Sequence, residues 1–406
     1  MLHSRFAAFL FPVLLLAQSG VKPGPRKLLV ISIGGLDEKF LTQPPTRVKI
    51  PNIRKLVRQG AVATGVIGVV PSDSEPSEIS LMTGLPPAET AADERKAIPL
   101  WQAAARAGLE AGAIFWPATA GAEIAFDFPE PDFPRVAPDA RSHDVQFESV
   151  ARDTTPKGVL DRIETESPGF EKGLWDDESA ARATIYLLET ASPALLLVHF
   201  SDVDSEQRET GALSIYAREI LENDDDLIGR MLAKTPPGTV VALVSGHGFE
   251  NQNYIVRPRV LLGRQSRVEV RDGLIGTPDQ AVAARLRELM NDGRRHGIAR
   301  EVPMVEVRAK APSLGRWVAA FDTLPNYVAS EDDRGPALGP GTHLGVSGLW
   351  PTRPGYRGVF AITGAGIQPR NLGEIDLLQI APTLAGVIGV RFPQAKRRSL
   401  WPSISR

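Results

Sequence analysis

The sequence predicts a doubly wound α/β fold, with a mostly parallel central sheet flanked by helices and a small α+β insertion. Several short apolar runs lack strict alternation and end in small or polar residues, which is typical of strands buried on both faces. These runs are Leu28 to Ile33, Gly112 to Trp116, Ala194 to Phe200 and Thr239 to Val244. Helical patterns lie between them, so strands and helices alternate as this fold requires.

Each helical pattern ends at a residue type that stops helices. The predicted helices are Asn52 to Gln59 before Gly60, Pro99 to Ala107 before Gly108, and Ile215 to Leu232 before Pro236.

Two stretches do not follow this alternation. Residues 118–177 are rich in Pro, Asp and Phe without clear periodicity, and we interpret them as a long excursion over the active face. Residues from about 251 to 340 predict the small α+β insertion around one helix, Asp279 to Asn291. The apolar or alternating runs of this insertion are Arg259 to Gly263, Arg267 to Val270, Met304 to Ala309 and Trp317 to Phe321.

Composition limits the classes of partner. The 406 residues are 43% hydrophobic and 23% charged, with a formal net charge of -2. No basic excess is available to neutralise a phosphate backbone, so we expect no nucleic-acid polymer as partner, whereas a small phosphorylated molecule needs only a local positive site. Because the chain has no Cys, a metal would have to be bound through Asp, Glu, His or hydroxyl oxygen.

The first residues predict an exported protein. Arg5 precedes an apolar run from Phe6 to Leu16, and Ala17-Gln18-Ser19 has the small-x-small pattern of a cleavage site. Residues 1–19 are therefore interpreted as a signal peptide, with periplasmic or extracellular localisation. A membrane anchor is the weaker alternative because the run is shorter than the ~20 residues of a span, so we expect no transmembrane span in the mature protein. The sequence carries no signal for an oligomeric state.

Candidate site residues follow the predicted strands. Ligands of open α/β sheets bind beyond the carboxyl ends of the strands, which directs attention to Gly34, Ser74, Asp202, Asp204 and His247.

Ser74 has two interpretations. Residues 69–84 read as strand, turn and helix, with Pro76 opening the helix and Gly84 ending it. Ser74 then lies just ahead of a helix start, where unpaired N–H groups and the helix dipole favour an alkoxide or a bound phosphate. The alternative is that a serine only caps the helix: Ser72, Ser74 or Ser77.

Eight motifs occur in a fixed order from about Lys27 to Pro393. They are Ile33-Gly34-Gly35-Leu36, Pro51-Asn52-Ile53, Pro71 to Gly84, Trp116-Pro117, Asp204 with Arg208 and Gly211, Ser245-Gly246-His247-Gly248, Gly341-Thr342-His343, and Ile375-Asp376 through Thr383. In this order they resemble the type I phosphodiesterase/nucleotide pyrophosphatase family of the alkaline phosphatase superfamily. The resemblance implies an alkaline-phosphatase-like α/β domain over residues 20–406.

The resemblance also implies a dinuclear metal site. In that family two divalent metal ions, usually zinc, flank a Thr or Ser nucleophile. Ser74 matches the nucleophile, and the matched metal-ligand positions are Asp204, His247 and His343. Three further ligand positions are replaced: Gly34, Gly246 and Arg208.

These replacements remove charge that the metals need. Two dications held ~4 Å apart need carboxylates around them, and the changes shift the ligand charge by about three units toward positive. Four nearby carboxylates are candidates to substitute for lost ligands: Asp37, Glu75, Glu78 and Asp202.

Two replacements have alternative roles. Arg208 either binds a phosphate or carboxylate in bidentate fashion, or only pairs with a neighbouring acid or points to solvent. Ser77 stands where the diesterase branch often has a phosphoryl-binding Asn, so it is a candidate substrate contact or a cap.

Two functions follow. The resemblance implies a phosphoric ester hydrolase with Ser74 as nucleophile, while the lost ligands favour a non-catalytic pseudoenzyme that binds a phosphorylated ligand or a protein partner in the same cleft. If the mapping is right, Gly34→Asp, Gly246→Asp and Arg208→His together should create metal binding.

Overall fold

A computed structural model describes residues 26–44, 46–92, 97–130, 140–170 and 176–405. The predicted signal peptide lies outside these residues. Within them, no helix is both long and apolar enough to cross a lipid bilayer.

The described part of the chain is built around an eight-stranded sheet, and we number strands along the chain. From edge to edge its strands are β18 (Arg370–Asn371), β2 (Ala61–Val62), β17 (Phe360–Thr363), β7 (Val240–Val244), β1 (Leu28–Ile33), β6 (Leu195–Phe200), β4 (Ala111–Ile114) and β5 (Phe126–Phe128). All neighbours are parallel except β17, which is antiparallel to both β2 and β7. The predicted mostly parallel sheet is thus confirmed.

Strand β1 shows why its sequence does not alternate. All six of its residues are buried. Leu29, Ile31 and Ile33 enter one hydrophobic core, while Leu28 and Val30 enter a second core on the opposite face. Both faces are covered by helices, so every position favours an apolar side chain.

The helices of the main body have these bounds: α1 (Glu38–Thr42), α2 (Pro51–Gln59), α3 (Ser74–Thr83), α4 (Pro87–Ala92), α5 (Leu100–Arg106), α6 (Ala140–Asp153), α7 (Val159–Glu166), α8 (Asp177–Thr190), α9 (Asp202–Thr210), α10 (Ile215–Lys234), α15 (Ile380–Ile388) and α16 (Trp401–Ile404). Helices α2, α8 and α10 pack on one face of the sheet, and α3, α5 and α15 on the other.

The start of α2 is held by a carboxylate. Asp225 on α10 accepts hydrogen bonds from the backbone N–H groups of Asn52 and Ile53 at 3.0 and 2.7 Å, and from the Asn52 amide at 3.0 Å. These N–H groups have no partner within the helix. Asn52 in the Pro-Asn-Ile motif therefore fixes α2 against α10.

The region from 251 to 340 contains a separate four-stranded antiparallel sheet beside α12 (Gln280–Met290). Its strands, in spatial order, are β10 (Glu269–Arg271), β11 (Leu274–Thr277), β13 (Ala319–Thr323) and β12 (Ile298–Val302). Shorter strands form three small sheets: β14 (Tyr327–Ala329), β9 (Tyr254–Val256) and β15 (Leu338–Pro340); β16 (Gly345–Val346) and β8 (Glu250–Asn251); β19 (Glu374–Asp376) and β3 (Gly65–Ile67).

Three more helices belong to this region. Two of them form where the sequence predicts only short apolar or alternating runs. The helices are α11 (Pro258–Leu262), α13 (Gly293–His296) and α14 (Met304–Lys310). Helix α11 covers the run that starts at Arg259, and α14 covers the run that starts at Met304. Runs of five or six residues fit the period of a helix as well as that of a strand, so one predicted helix was too few.

Candidate functional site

Four of the predicted site residues lie together at the carboxyl ends of β1, β6 and β7. A Cβ atom built on Gly34 would lie 3.4 Å from the Ser74 hydroxyl and 3.2 Å from Cβ of Asp204. His247 follows β7, and its Nε2 lies 3.4 Å from the Ser74 hydroxyl. The structure therefore brings these four residues together at the edge of the sheet to which the strand ends point.

Ser74 is the first residue of α3, and Asp73 is the N-cap. The helix thus begins two residues before Pro76, which corrects the predicted start. No serine caps it through a side-chain bond, because the N-cap is Asp73 and it makes none. Among the described residues, the backbone N–H groups of Ser74 and Glu75 donate no hydrogen bond. Two amide donors at the positive end of the helix are therefore available beside the Ser74 hydroxyl.

The imidazole of His247 is oriented by its own loop. Its Nδ1 lies 3.2 Å from the backbone oxygen of Gly248, and a carbonyl can only accept, so Nδ1 carries a hydrogen. In the neutral ring, Nε2 is then the acceptor that faces Ser74. The same Nε2 lies 3.5 Å from Oδ1 of Asp204.

The guanidinium of Arg208 connects three segments. Its Nε donates to Oδ2 of Asp204 at 2.6 Å, and its Nη2 donates to Oδ1 of Asp73 and to the Ser347 hydroxyl at 2.7 Å each. The guanidinium also lies 5.4 Å from the ring centre of Phe249, within range of a cation–π contact. Its Nη1 donates to no described residue, and 40% of the side chain is exposed.

The hydrogen bonds and ion pairs of this cluster shift the pKa values of Asp73 and Arg208. Burial alone would raise the pKa of Asp73, but the hydrogen bonds from Ser347 and Arg208 outweigh it and lower that pKa below its ordinary value. Burial alone would lower the pKa of Arg208, but Asp204 and Asp73 raise it above its ordinary value. Asp73 and the guanidinium are thus held in their charged forms.

Ser77 occupies the space beside Gly246. A Cβ atom on Gly246 would lie only 2.3 Å from Cβ of Ser77, so no larger residue fits there unless Ser77 moves. This corrects the triple substitution expected to restore metal binding, because Gly246→Asp would clash. Ser77 is itself fully buried, so in this structure its hydroxyl is not exposed as a substrate contact would be.

His343 lies apart from the other candidate ligands. Its side chain is exposed and its Nδ1 lies 3.1 Å from the amide oxygen of Asn253. Among the described residues, no group of three or more His, Asp or Glu side chains is placed to hold a metal ion.

Comparison with known proteins identifies the family. The family model for type I phosphodiesterase/nucleotide pyrophosphatase matches residues 28–91 and 93–329, more than half of the chain. The chain belongs to this family.

Solved structures in the family share its fold. Murine and human ectonucleotide pyrophosphatase/phosphodiesterase 5 match with TM-scores of 0.57 and 0.58 at 16% and 14% identity. An inactive variant of the murine protein in complex with AMP matches with a TM-score of 0.56 at 15% identity. Each alignment covers 94% of this chain and 100% of the other. No curated protein sequence matches.

The residues present do not fit the two-metal centre usual in the type I phosphodiesterase family. Gly34 and Gly246 offer no side-chain donor. Both oxygens of Asp204 face the Arg208 guanidinium, at 2.6 Å from Nε and 3.5 Å from Nη2, so this acid already has a cation. A dication placed on Asp204 would have to displace or repel that guanidinium.

Asp37 and Asp202 are engaged in structural bonds. Asp37 caps α1 and accepts from the N–H groups of Lys39 and Phe249 at 2.9 and 3.2 Å. Burial raises its pKa to about 6. Asp202 accepts from the N–H of Asp177 at 3.1 Å, which joins α8 to α9. Both carboxylates are therefore already used in holding the fold.

Glu75 and Glu78 on the same helix differ in burial. Glu75 is exposed. Glu78 is buried beneath the cleft, accepts from the Ser32 hydroxyl at 2.7 Å, and lies 3.9 Å from Nδ1 of His199. Burial raises the pKa of Glu78 to about 8, so it is mostly protonated at neutral pH. Glu78 is therefore engaged within the core and is not exposed to a ligand.

Two site residues were missed from the sequence. Asp73 precedes Ser74, and its proximity in sequence to the candidate nucleophile was a usable signal. Ser347 lies beyond the late turn, more than 130 positions from Arg208, and no local pattern connects the two.

Proposed function

We propose that this chain binds a small phosphorylated molecule, of nucleotide type, in the Ser74 cleft without two-metal hydrolysis. The observation that carries the proposal is the Arg208 cluster: a guanidinium bonded to Asp204 stands where the family sequence has a metal ligand. Membership of the family supports a phosphoryl ligand, and so does the AMP complex of the murine relative.

The phosphoryl contacts would come from this chain's own donors. The N–H groups of Ser74 and Glu75 carry no hydrogen bond to described residues, and they lie at the positive end of α3. Arg208 retains Nη1 for a phosphate oxygen. Since Asp73 and Asp204 offset the guanidinium charge, we expect modest affinity.

Titration calorimetry with AMP and with adenosine tests this function, in chelator-treated buffer. We expect AMP to bind, adenosine to bind far more weakly, and Arg208→Ala to weaken AMP binding. Arg230→Ala is the matched control, because Arg230 is also a half-exposed arginine bonded to an acid, Glu178, at 2.8 and 3.0 Å. Equal binding of AMP and adenosine, or binding of neither, would contradict the proposal.

A second candidate is hydrolysis of a phosphoric ester with Ser74 as nucleophile. The contact between the Ser74 hydroxyl and Nε2 of His247, at 3.4 Å, favours it, because that nitrogen could take the hydroxyl proton. Turnover of aryl phosphate mono- and diesters by the wild type, lost in Ser74→Ala and kept in Ser403→Ala, would establish this candidate. AMP binding without such turnover supports the first.

We also propose that residues 1–19 direct export. Expression of the full chain in a Gram-negative host, followed by mass spectrometry of the periplasmic fraction, tests this. A mature chain that starts near Gly20 is expected, and a chain that keeps residue 1 in the cytosol would refute it.

A further inference from the structure

Arg208 contacts the same polar atoms that a cation in this cleft would need. Its Nε lies 2.6 Å from Oδ2 of Asp204, and its Nη2 lies 2.7 Å from Oδ1 of Asp73. The Ser347 hydroxyl bonds both Nη2 and Asp73. These partners come from the start of α3, from α9 and from the segment after β16, so three distant parts of the chain converge on one positive charge.

Two distances beside the guanidinium, both from His247, match the spacing between metal ligands. Nε2 of His247 lies 3.4 Å from the Ser74 hydroxyl and 3.5 Å from Oδ1 of Asp204. Tetrahedral zinc ligands at about 2.0–2.1 Å from the ion lie about 3.3 Å from one another. His247 is therefore spaced from Ser74 and from Asp204 as one zinc ligand is from another, and Asp73 is a further carboxylate bonded to the same guanidinium.

Electrostatic interactions favour the Arg208 guanidinium over a divalent metal ion at Asp204. A guanidinium is charged at every accessible pH and needs no release of water from a tightly hydrated ion. Because it is covalently attached, its effective concentration at Asp204 does not depend on the metal supply. While it stays there, a dication would meet a like charge within a few ångströms.

We infer that Arg208 is a resident counterion that excludes divalent metal from this cleft. Removal of the guanidinium should convert Asp73, Asp204, His247 and Ser74 into a site for one zinc ion. This inference does not depend on nucleotide binding, and it is tested without nucleotide.

Zinc titration against a chromophoric chelator provides the test, with Arg208→Ala as the variant. We expect it to bind one zinc per chain at least about tenfold more tightly than the wild type, because a repulsive charge is gone. Arg208→Lys keeps a positive charge and should behave like the wild type, as should the control Arg230→Ala. Asp204→Asn added to Arg208→Ala should abolish the gain.

Circular dichroism and thermal melting establish that each variant is folded. Arg208→Gln is a second neutral variant, and we expect it to gain as much zinc affinity as Arg208→Ala. Equal zinc affinity of the wild type and both neutral variants would overturn the inference. It would also be overturned if Arg208→Lys gained as much as Arg208→Ala, or if the gain survived Asp204→Asn.

Discussion

Two arginines in this protein each face two carboxylates, but they are used differently. Arg353 joins the insertion to the main body and is 1% exposed. Its five N–H groups meet five acceptors: Glu250 at 2.8 Å, Asp322 at 2.9 Å, the Thr323 hydroxyl at 3.0 Å, and the backbone oxygens of Leu324 and Tyr327. Arg208 is 40% exposed and keeps Nη1 without a described partner.

The difference separates an arginine whose donors are all used within the fold from an arginine that keeps a donor for a ligand. Arg353 has no donor left for a ligand, and its removal would leave Glu250 without this buried cation and Asp322 with Arg300 alone. Arg208 lies at the strand ends where ligands bind, and one side of its guanidinium is open to the cleft. An arginine paired with acids is therefore informative only when its remaining donors and its exposure are known.

The largest expected effect belongs to the buried cluster. Arg353→Met should lower the free energy of unfolding by about 3–5 kcal/mol, because Glu250 and Asp322 would lose a buried cation. Urea denaturation followed by circular dichroism measures this. Arg287→Met is the control at an exposed pair with Glu301, and the same loss in both variants would refute the structural role of Arg353.

Glu78 shows what burial does to an acid without an arginine. Its pKa is raised from 4.5 to about 8, so the folded state holds the proton more tightly than the unfolded state. Its contribution to stability is complete below about pH 4.5 and is lost as the pH rises through about 8. Relative to Glu78→Gln, the wild type should lose on the order of a few kcal/mol from about pH 5 to about pH 9. Parallel stability curves would contradict this.

Arg208→Ala should cost far less stability than Arg353→Met. A half-exposed ion pair contributes about 1 kcal/mol or less because water and salt screen it. The same urea experiment measures it. A loss as large as that of Arg353→Met would show that Arg208 is a structural residue, and the comparison between the two arginines would fail.

Asp73 should give the smallest effect, with a pH dependence opposite to that of Glu78. Its pKa is lowered from 3.8, so its contribution is present above about pH 3.8 and is lost as the pH falls through the lower folded value. Relative to Asp73→Asn, the wild type should lose a few tenths of a kcal/mol on acidification, since the side chain is half-exposed. A wild type that gained stability on acidification relative to this variant would contradict the assignment.

The central sheet was predictable because strands that are buried on both faces carry apolar side chains at successive positions. The apolar runs at β1, β6 and β7 match the strands to within one residue at either end. The runs that form α11 and α14 were too short for the spacing of their apolar residues to distinguish a helix from a strand.

The site residues that lie in sequence motifs were predictable, but the contacts between distant segments were not. Family motifs placed Ser74, Asp204 and His247, and the structure brings them together. The contact of Arg208 with Ser347 and the filling of the Gly246 space by Ser77 depend on packing between distant segments. Such contacts leave no local pattern in one sequence.

The most direct test of the central claim, that a guanidinium has replaced the metals, is the zinc content of the wild-type protein. The chain should be purified without chelators, dialysed against zinc and then against buffer, and analysed by inductively coupled plasma mass spectrometry. We predict far less than one zinc ion per chain. Two tightly held zinc ions per chain would contradict the account.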